Sequence, residues 1–149
     1  MNCNYDNVGK WISVLYRQFQ VYINNELKAF NLNSSQYVFL VCLYKQDGVS
    51  QEELGNRLFI DKGAVARAIK QLEENGYIIR KVNPEDKRAY EIYLTEKAMT
   101  IREEFKAILD NWNSIISSGQ GEDEIKVLID ALKNMSSNAL NHHKKELEV

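Results

Sequence analysis

Apolar positions along the chain recur mostly at helical spacing and switch to strict alternation in only one place. Val8, Trp11, Ile12, Leu15, Tyr16, Phe19, Tyr22, Ile23, Leu27 and Phe30 step by three or four residues. This spacing predicts an amphipathic helix of about six turns at 3.6 residues per turn. The polar break Asn31-Leu32-Asn33 ends it. Asn33 then has the chemistry of an N-cap, and Gln36, three residues on, can complete a capping box. A helix is expected from near Ser34 to Lys45. Its stretch Val38-Phe39-Leu40-Val41-Cys42-Leu43 is apolar on every face, which predicts burial all round. Asp47-Gly48 closes it.

Ser50-Gln51-Glu52-Glu53 is a second capping box, followed by a short helix whose inner face is Leu54 and Leu58. Phe59-Ile60 makes a tight connection. Asp61 caps a third helix, from Lys62 to about Asn75, with Gly76 as its stop. The period then becomes two. Tyr77 to Val82 reads as a strand, Asn83-Pro84-Glu85-Asp86 is turn chemistry, and Tyr90, Ile92 and Leu94 alternate with Glu91 and Tyr93 in a return strand. Thr95 caps a long helix carrying Ile101, Phe105, Ile108, Trp112 and Ile115. Ser117 to Gly121 breaks the pattern, and a last helix carries Ile125, Leu128, Ile129, Leu132 and Met135. The polar tail from Asn141 is expected to fray.

Helix, tight turn, helix and hairpin in succession make a helix-turn-helix followed by a wing. The second helix of such a unit enters the major groove of duplex DNA. At 100° per residue, Val65, Ala68, Ile69 and Leu72 fall on one side of the Lys62–Asn75 helix, and Gly63, Arg67, Lys70 and Glu74 on the other. Lys62 flanks the N-terminal end. The outward face thus offers Lys62, Arg67 and Lys70 among the small residues Gly63, Ala64 and Ala66, which let a helix sink into a groove. Arginine grips guanine bidentately, and lysine reaches guanine or phosphate. By itself this face is equally consistent with an ordinary solvated surface. The hairpin tip Asp86-Lys87-Arg88 shifts the balance. An arginine there can enter a narrow minor groove, and Asp86 is placed to brace its guanidinium.

Two stretches carry a resemblance. Asp61-Lys62-Gly63-Ala64-Val65-Ala66-Arg67-Ala68-Ile69-Lys70-Gln71-Leu72-Glu73-Glu74-Asn75-Gly76-Tyr77-Ile78 resembles the recognition helix of the MarR family and its exit into the wing. Asn83-Pro84-Glu85-Asp86-Lys87-Arg88, followed by Leu94-Thr95-Glu96-Lys97, resembles that family's wing signature. Ala98 departs from the glycine that members often carry after Glu-Lys. The resemblance implies a mainly α fold with a small antiparallel β-wing. It further implies a homodimeric transcriptional regulator of double-stranded DNA, with residues 33–94 as the winged helix-turn-helix and residues 1–32 and 95–149 as a dimerisation region intertwined with it. Two recognition helices one turn of DNA apart, roughly 34–36 Å, would read a palindrome. The terminal helices agree: Trp11, Tyr16 and Phe19 at one end, and Phe105, Trp112 and Ile116 at the other, exceed what a small winged domain covers, and such exposed stripes mark an interface. Val8, Ile12, Phe19, Trp112, Ile116, Leu128 and Leu132 are the expected contacts.

Charge complicates this reading. The net charge of −2 is unusual for a DNA-binding domain. The deficit is local: residues 96–149 hold seven basic and ten acidic side chains, while residues 50–95 hold eight of each. Placement therefore matters more than the total. Two cysteines are too few for a disulfide scaffold. No apolar run reaches the roughly 18–20 residues of a membrane span, and Met1 to Asp6 lacks a secretory pattern, so a cytoplasmic protein is expected.

The sequence lacks a glycine-rich phosphate loop, a nucleophile elbow and a zinc-ligand motif, so no enzyme class is favoured and no cofactor is expected. A winged helix used only for protein contacts would present a recognition face and wing without basic residues. Three kinds of signal are commonly sensed by the family it resembles. Metal is disfavoured, because His142 and His143 are adjacent and diverge on a helix. A redox role for Cys42 or Cys3 is the weaker alternative, since Cys42 lies in an apolar helix where a small hydrophobe is the default. A small aromatic or anionic effector remains. The family's pocket lies between dimer base and winged domain, where Trp11, Tyr16 and Tyr37 could line it and Arg17 could meet a carboxylate.

Overall fold

The structure is a computed structural model, and it describes residues 6–147. Helix α1 (Val8–Leu27) begins at Asn7, whose Oδ1 accepts from the Lys10 N–H at 3.0 Å. It ends one turn before the expected Phe30. Lys28–Phe30 tightens into a 3-10 turn, and Asn31 takes the left-handed conformation. Leu32, inside the polar break, is buried. Helix α2 (Tyr37–Lys45) starts three residues later than expected from Ser34. The expected capping contact is nevertheless present: Gln36 Oε1 accepts from the Asn33 N–H at 3.1 Å. Phe39, Leu40 and Leu43 of α2 are fully buried, whereas Val38, Val41 and Cys42 are half-buried. The helix is therefore less enclosed than its composition suggests.

Gly48, at φ +71°, turns the chain into a two-residue strand β1 (Val49–Ser50) that periodicity could not reveal. Helix α3 (Gln51–Leu58) follows, capped by Ser50 Oγ on the Glu53 N–H at 3.1 Å. Helix α4 (Lys62–Glu74) is capped by Asp61 Oδ1 on the Ala64 N–H at 3.0 Å. Each such cap contributes about 1 kcal/mol. Gly76 at φ +78° leads into β2 (Ile78–Val82), which pairs antiparallel with β3 (Tyr90–Leu94). The register sets Ile78 opposite Leu94 and Val82 opposite Tyr90. β1 adds to the far side of β3, giving a three-stranded sheet in the order β1-β3-β2. The Asp47 carboxylate ties this edge by accepting from the Leu94 N–H at 3.0 Å. Thr95 then starts α5 (Glu96–Ser117), a turn at residues 118–121 follows, and α6 (Glu122–Leu147) runs on.

The chain divides into two compact units, one reaching to Trp112 and the other starting at Asn113. The core of the first unit joins Ile23 and Leu27 of α1, the buried residues of α2, Leu54, and the inner face Val65, Ala68, Ile69 and Leu72 of α4. Tyr77, Ile78 and Ile92 from the sheet and Ala98, Phe105 and Ile108 of α5 complete it. Phe105, expected at an interface, is instead 2% exposed within this core, beside the Tyr44 ring. α6 continues through Asn141 to Leu147 rather than fraying at Asn141. His142 and His143 lie 3.3 and 3.8 Å from the Glu146 carboxylate, which supplies local partners in the last turns. No helix among the described residues is long and apolar enough to cross a membrane.

Candidate nucleic-acid interface

The α3–turn–α4 unit depends on a close packing point. Gly55 of α3 faces Val65 of α4: a Cβ at Gly55 would stand 3.2 Å from Val65 Cγ2 and 3.3 Å from the Ile60 carbonyl. The turn between the helices is a left-handed cap, with Phe59 at φ 54° and the Ile60 N–H donating to the Gly55 carbonyl at 3.0 Å. The inner face of α4 is buried as the helical wheel requires. Lys62, Gly63, Arg67 and Lys70 are left exposed and Ala64 half-buried on the other side. Lys70 lies 3.9 Å from Glu74 in an exposed i,i+4 pair, which restrains it weakly. Among the described residues Lys62 and Arg67 have no ion-pair partner.

The wing tip is a structured loop. The Asn83 N–H donates to the Ala89 carbonyl at 2.9 Å, and the Ala89 N–H to the Asp86 carbonyl at 3.0 Å. Asp86 was expected to brace the Arg88 guanidinium. Instead its carboxylate accepts from the Arg88 backbone N–H at 3.0 Å. An Asx-type bond two residues on is the shortest closure available to an aspartate, so Asp86 fixes the loop and leaves the guanidinium exposed. Lys87 is also exposed.

Between the N-termini of α3 and α4 and the wing lies a cleft of about 530 Å³. Lys62 and Arg88 line it, with Arg80, Gln51, Asn56 and Tyr90, which sequence reasoning did not single out. Arg80 donates twice to the Glu73 carboxylate, 3.0 Å from Nε and 2.9 Å from Nη2, and its guanidinium lies 5.6 Å from the Tyr90 ring centre. The Arg80 hydrogen bonds hold the Glu73 carboxyl below its usual value. One ion pair thereby joins the last turn of α4 to the first wing strand.

A second cavity of about 540 Å³ lies among α1, the start of α2 and α4. Of the four residues expected in an effector pocket, Tyr16 and Tyr37 line this cavity and Trp11 and Arg17 stand outside it. Trp11 donates from Nε1 to Asp6 at 2.7 Å under the Lys10 ammonium, and Arg17 donates to the Ser13 hydroxyl one turn back. Both partners are local in sequence, Asp6 just before α1 and Ser13 within it, and both side chains stand outside the cavity. In their place stand Arg67 and Gln71 of α4, with Phe19 and Gln20 of α1. Burial and a neighbouring Tyr16 push the Tyr37 hydroxyl above its ordinary pKa, so it stays a neutral donor.

The expected interface residues separate into two groups. Phe19 and Trp112 are half-buried within the first unit, their rings 5.4 Å apart. Phe19 also meets Tyr37 edge-on at 5.1 Å, and Trp112 lies 5.2 Å from Tyr22. Val8, Ile12, Ile116, Leu128 and Leu132 remain substantially exposed. Cys42 is half-buried, and Cys3 lies outside the described residues. Among the described residues no group of three or more His, Cys, Asp or Glu side chains is placed to hold a metal ion.

A capped helix pair with a basic outer face, followed by a hairpin with a cationic tip, is a winged helix-turn-helix. Residues 32–90 match the model of the MarR family. The chain is 30% identical to the HTH-type transcriptional regulator SarZ of Staphylococcus haemolyticus over 116 residues, 78% of each chain. It superposes on a MarR transcriptional regulator from Methanosarcina mazei Go1 with a TM-score of 0.83 at 37% identity, covering 90% of this chain and 96% of that one. A MarR family regulator from Listeria monocytogenes complexed with 26mer DNA matches with a TM-score of 0.84 at 34% identity, covering 89% of each chain. The fold and site define a DNA-binding transcriptional regulator of the winged-helix class. The chain belongs to the MarR family.

Proposed function

We propose that this protein binds a palindromic operator as a homodimer, with α4 in the major groove and the wing in the minor groove. The observation that carries this reading is the pairing of two exposed cationic features on one element series. Lys62, Arg67 and Lys70 project from the outer face of α4, and Lys87 and Arg88 from a loop that Asp86 closes. Gly63 and Ala64 keep that face low enough for the helix to approach base edges. Arg67 is the candidate base reader and Arg88 the candidate minor-groove contact. A winged helix specialised for protein contacts would have no use for this distribution.

Residues 33–94 would then read DNA, while the helices of residues 1–32 and 95–149 would dimerise. The exposed apolar residues of each helical segment support this. Val8, Ile12 and Leu15 lie along one side of α1, and Leu128 and Leu132 lie on α6; all are uncovered in a single chain. A second copy of the chain is the occupant that a two-fold regulator supplies. As a reader of DNA the protein would work in the cytoplasm, on the nucleoid. The cavity that holds Tyr16 and Tyr37 is the proposed effector site.

The test is a fluorescence-anisotropy titration. Duplex from immediately upstream of the protein's own gene is compared with a scrambled duplex at two salt concentrations. Tight binding to the first, much weaker binding to the second and a steep salt slope are expected. Equal binding to both duplexes would overturn sequence-specific recognition of that DNA.

A further inference from the structure

We infer that Asn75–Gly76, where α4 ends, is a latent deamidation site: Lys97 readies its peptide for the reaction, and Asn31 holds the Asn75 side chain out of it. The chemistry stands by itself, and its consequence for DNA rests on the function proposed above.

The reacting groups adjoin in the chain. Asn75-Gly76 is the only Asn-Gly pair in the sequence. An asparagine side chain is attacked by the nitrogen of the next peptide, and glycine, with no Cβ, obstructs that attack least. The Gly76 N–H gives its proton to hydroxide, and the nitrogen forms a bond to Asn75 Cγ. The Cγ–Nδ2 bond breaks, and the departing nitrogen takes a proton from water and leaves as ammonia. A further water opens the succinimide ring to aspartate or isoaspartate. Gly76 is exposed, so water reaches the site. Lys97 Nζ donates to the Asn75 carbonyl at 2.6 Å. A charge-assisted bond to that oxygen draws electrons from the Asn75–Gly76 peptide and makes its N–H easier to ionise.

The surrounding bonds oppose ring closure. Closure requires Asn75 Cγ to turn onto the Gly76 nitrogen. Two hydrogen bonds to Asn31, 44 residues earlier, hold the side chain where it is. Asn75 Nδ2 donates to the Asn31 carbonyl at 2.9 Å, and Asn31 Nδ2 donates to Asn75 Oδ1 at 3.0 Å. Asn31 is itself fixed. Its backbone is left-handed at φ 57°, its N–H donates to the Lys28 carbonyl at 3.0 Å, and the preceding Phe30 carbonyl accepts from the Tyr77 hydroxyl at 2.6 Å. The Gly76 N–H is also engaged, by the Glu73 carbonyl at 3.0 Å. Conversion would undo this junction. Aspartate would set a carboxylate against the Asn31 carbonyl, and isoaspartate would add a methylene to the backbone where α4 passes into β2. Either product loosens the hold on α4 and lowers operator affinity.

The test incubates the full chain at mildly alkaline pH and follows the exchange of NH2 for OH at residue 75 by peptide mass spectrometry. Asn31→Gly keeps the left-handed backbone and removes one of the two bonds. Residue 75 should then convert roughly three- to ten-fold faster than in wild type, the worth of one hydrogen bond. Asn113, which precedes Ser114 in α5, should convert at an unchanged rate and so reports any general loosening of the fold. Lys97→Met added to Asn31→Gly should slow conversion again, and wild type unfolded in urea should convert faster than folded wild type. Equal rates in folded wild type and Asn31→Gly, an acceleration shared by Asn113, no slowing by Lys97→Met, or equal rates in folded and unfolded wild type would each overturn the inference. Anisotropy on the ageing Asn31→Gly protein should show operator affinity falling as conversion proceeds, and unaltered affinity after full conversion would overturn the link to DNA. Fresh wild type that ignores operator sequence would instead remove the proposed function, and the conversion rates would still decide the chemistry.

Discussion

Glu73 near the end of α4 and Arg80 in the first wing strand are joined by two parallel hydrogen bonds of 2.9 and 3.0 Å. Seven residues of chain separate them, and the left-handed Gly76 makes the turn that brings them together. The pair fixes the wing against α4 from outside the core, at a position where both side chains remain about one-third exposed.

A first prediction concerns the pH dependence of this pair. Arg80 holds the Glu73 carboxyl below the ordinary carboxylate range, chiefly by hydrogen bonding. A carboxylate whose folded pKa is depressed stabilises the fold fully above its unfolded pKa, and that contribution is lost as pH falls through the folded value. Because the pair is partly solvated, its worth is about 0.5–1 kcal/mol. Urea unfolding of wild type and Glu73→Gln should differ by about that amount at neutral pH. The gap should hold down to about pH 4.5 and close below it. A gap independent of pH would mean that the substitution acts through something other than the ion pair.

Legibility in the sequence followed the range of the interaction. Caps at Ser50 and Asp61 span three residues and were predictable from residue type alone, as were the inner face of α4 and the hairpin. Strand β1 was not, because two residues carry no period and its pairing with β3 joins Val49 to Ile92. Trp11 and Arg17 stand outside the cavity for a related reason. A helical wheel places a side chain on a face but cannot show that Asp6 or Ser13 will engage it first. Arg67 looked like a groove residue only, since its approach to Tyr16 and Tyr37 arises from tertiary packing. Gln71 carries no sequence signal, because its partner is the buried Gln36, 35 residues away along the chain.

A second prediction separates the loop from its charge. Arg88→Ala should weaken binding to every duplex and lower the salt slope by about one, while leaving the oligomeric state intact. Asp86→Ala should also weaken binding, because it removes the acceptor for the Arg88 N–H and loosens the loop, but it should leave the salt slope in place. Unchanged affinity of Arg88→Ala at physiological salt would place the wing off the DNA.

A third prediction distinguishes reading from attraction on α4. Arg67→Ala should cost about 1–3 kcal/mol on the operator and relax preference at one base position in each half-site. Lys70→Ala should cost less and act equally on operator and scrambled DNA. The comparison is made by anisotropy on single-base operator variants. A uniform loss for Arg67→Ala would assign it to phosphate.

The fourth prediction comes from Phe59, which closes α3 at φ 54° and ψ 41° with its ring 69% exposed. Left-handed backbone costs an ordinary L-residue about 1 kcal/mol, and a bulky one is rarely found there. The ring is too exposed to repay that cost by burial. Asparagine tolerates the conformation and preserves the backbone bonds from Phe59 and Ile60 to the Gly55 carbonyl. Phe59→Asn should therefore raise the urea midpoint at fixed protein concentration by an amount equivalent to about 0.5–1 kcal/mol, with the denaturant slope unchanged. Phe59→Gly should gain less, because glycine also loosens the unfolded chain. Operator affinity provides the second readout. If Phe59 is only a strained cap, both variants bind DNA as wild type does. A variant that gains stability but loses affinity would show that the exposed ring at the helix-turn-helix corner contacts DNA, and that the strain is retained for that contact.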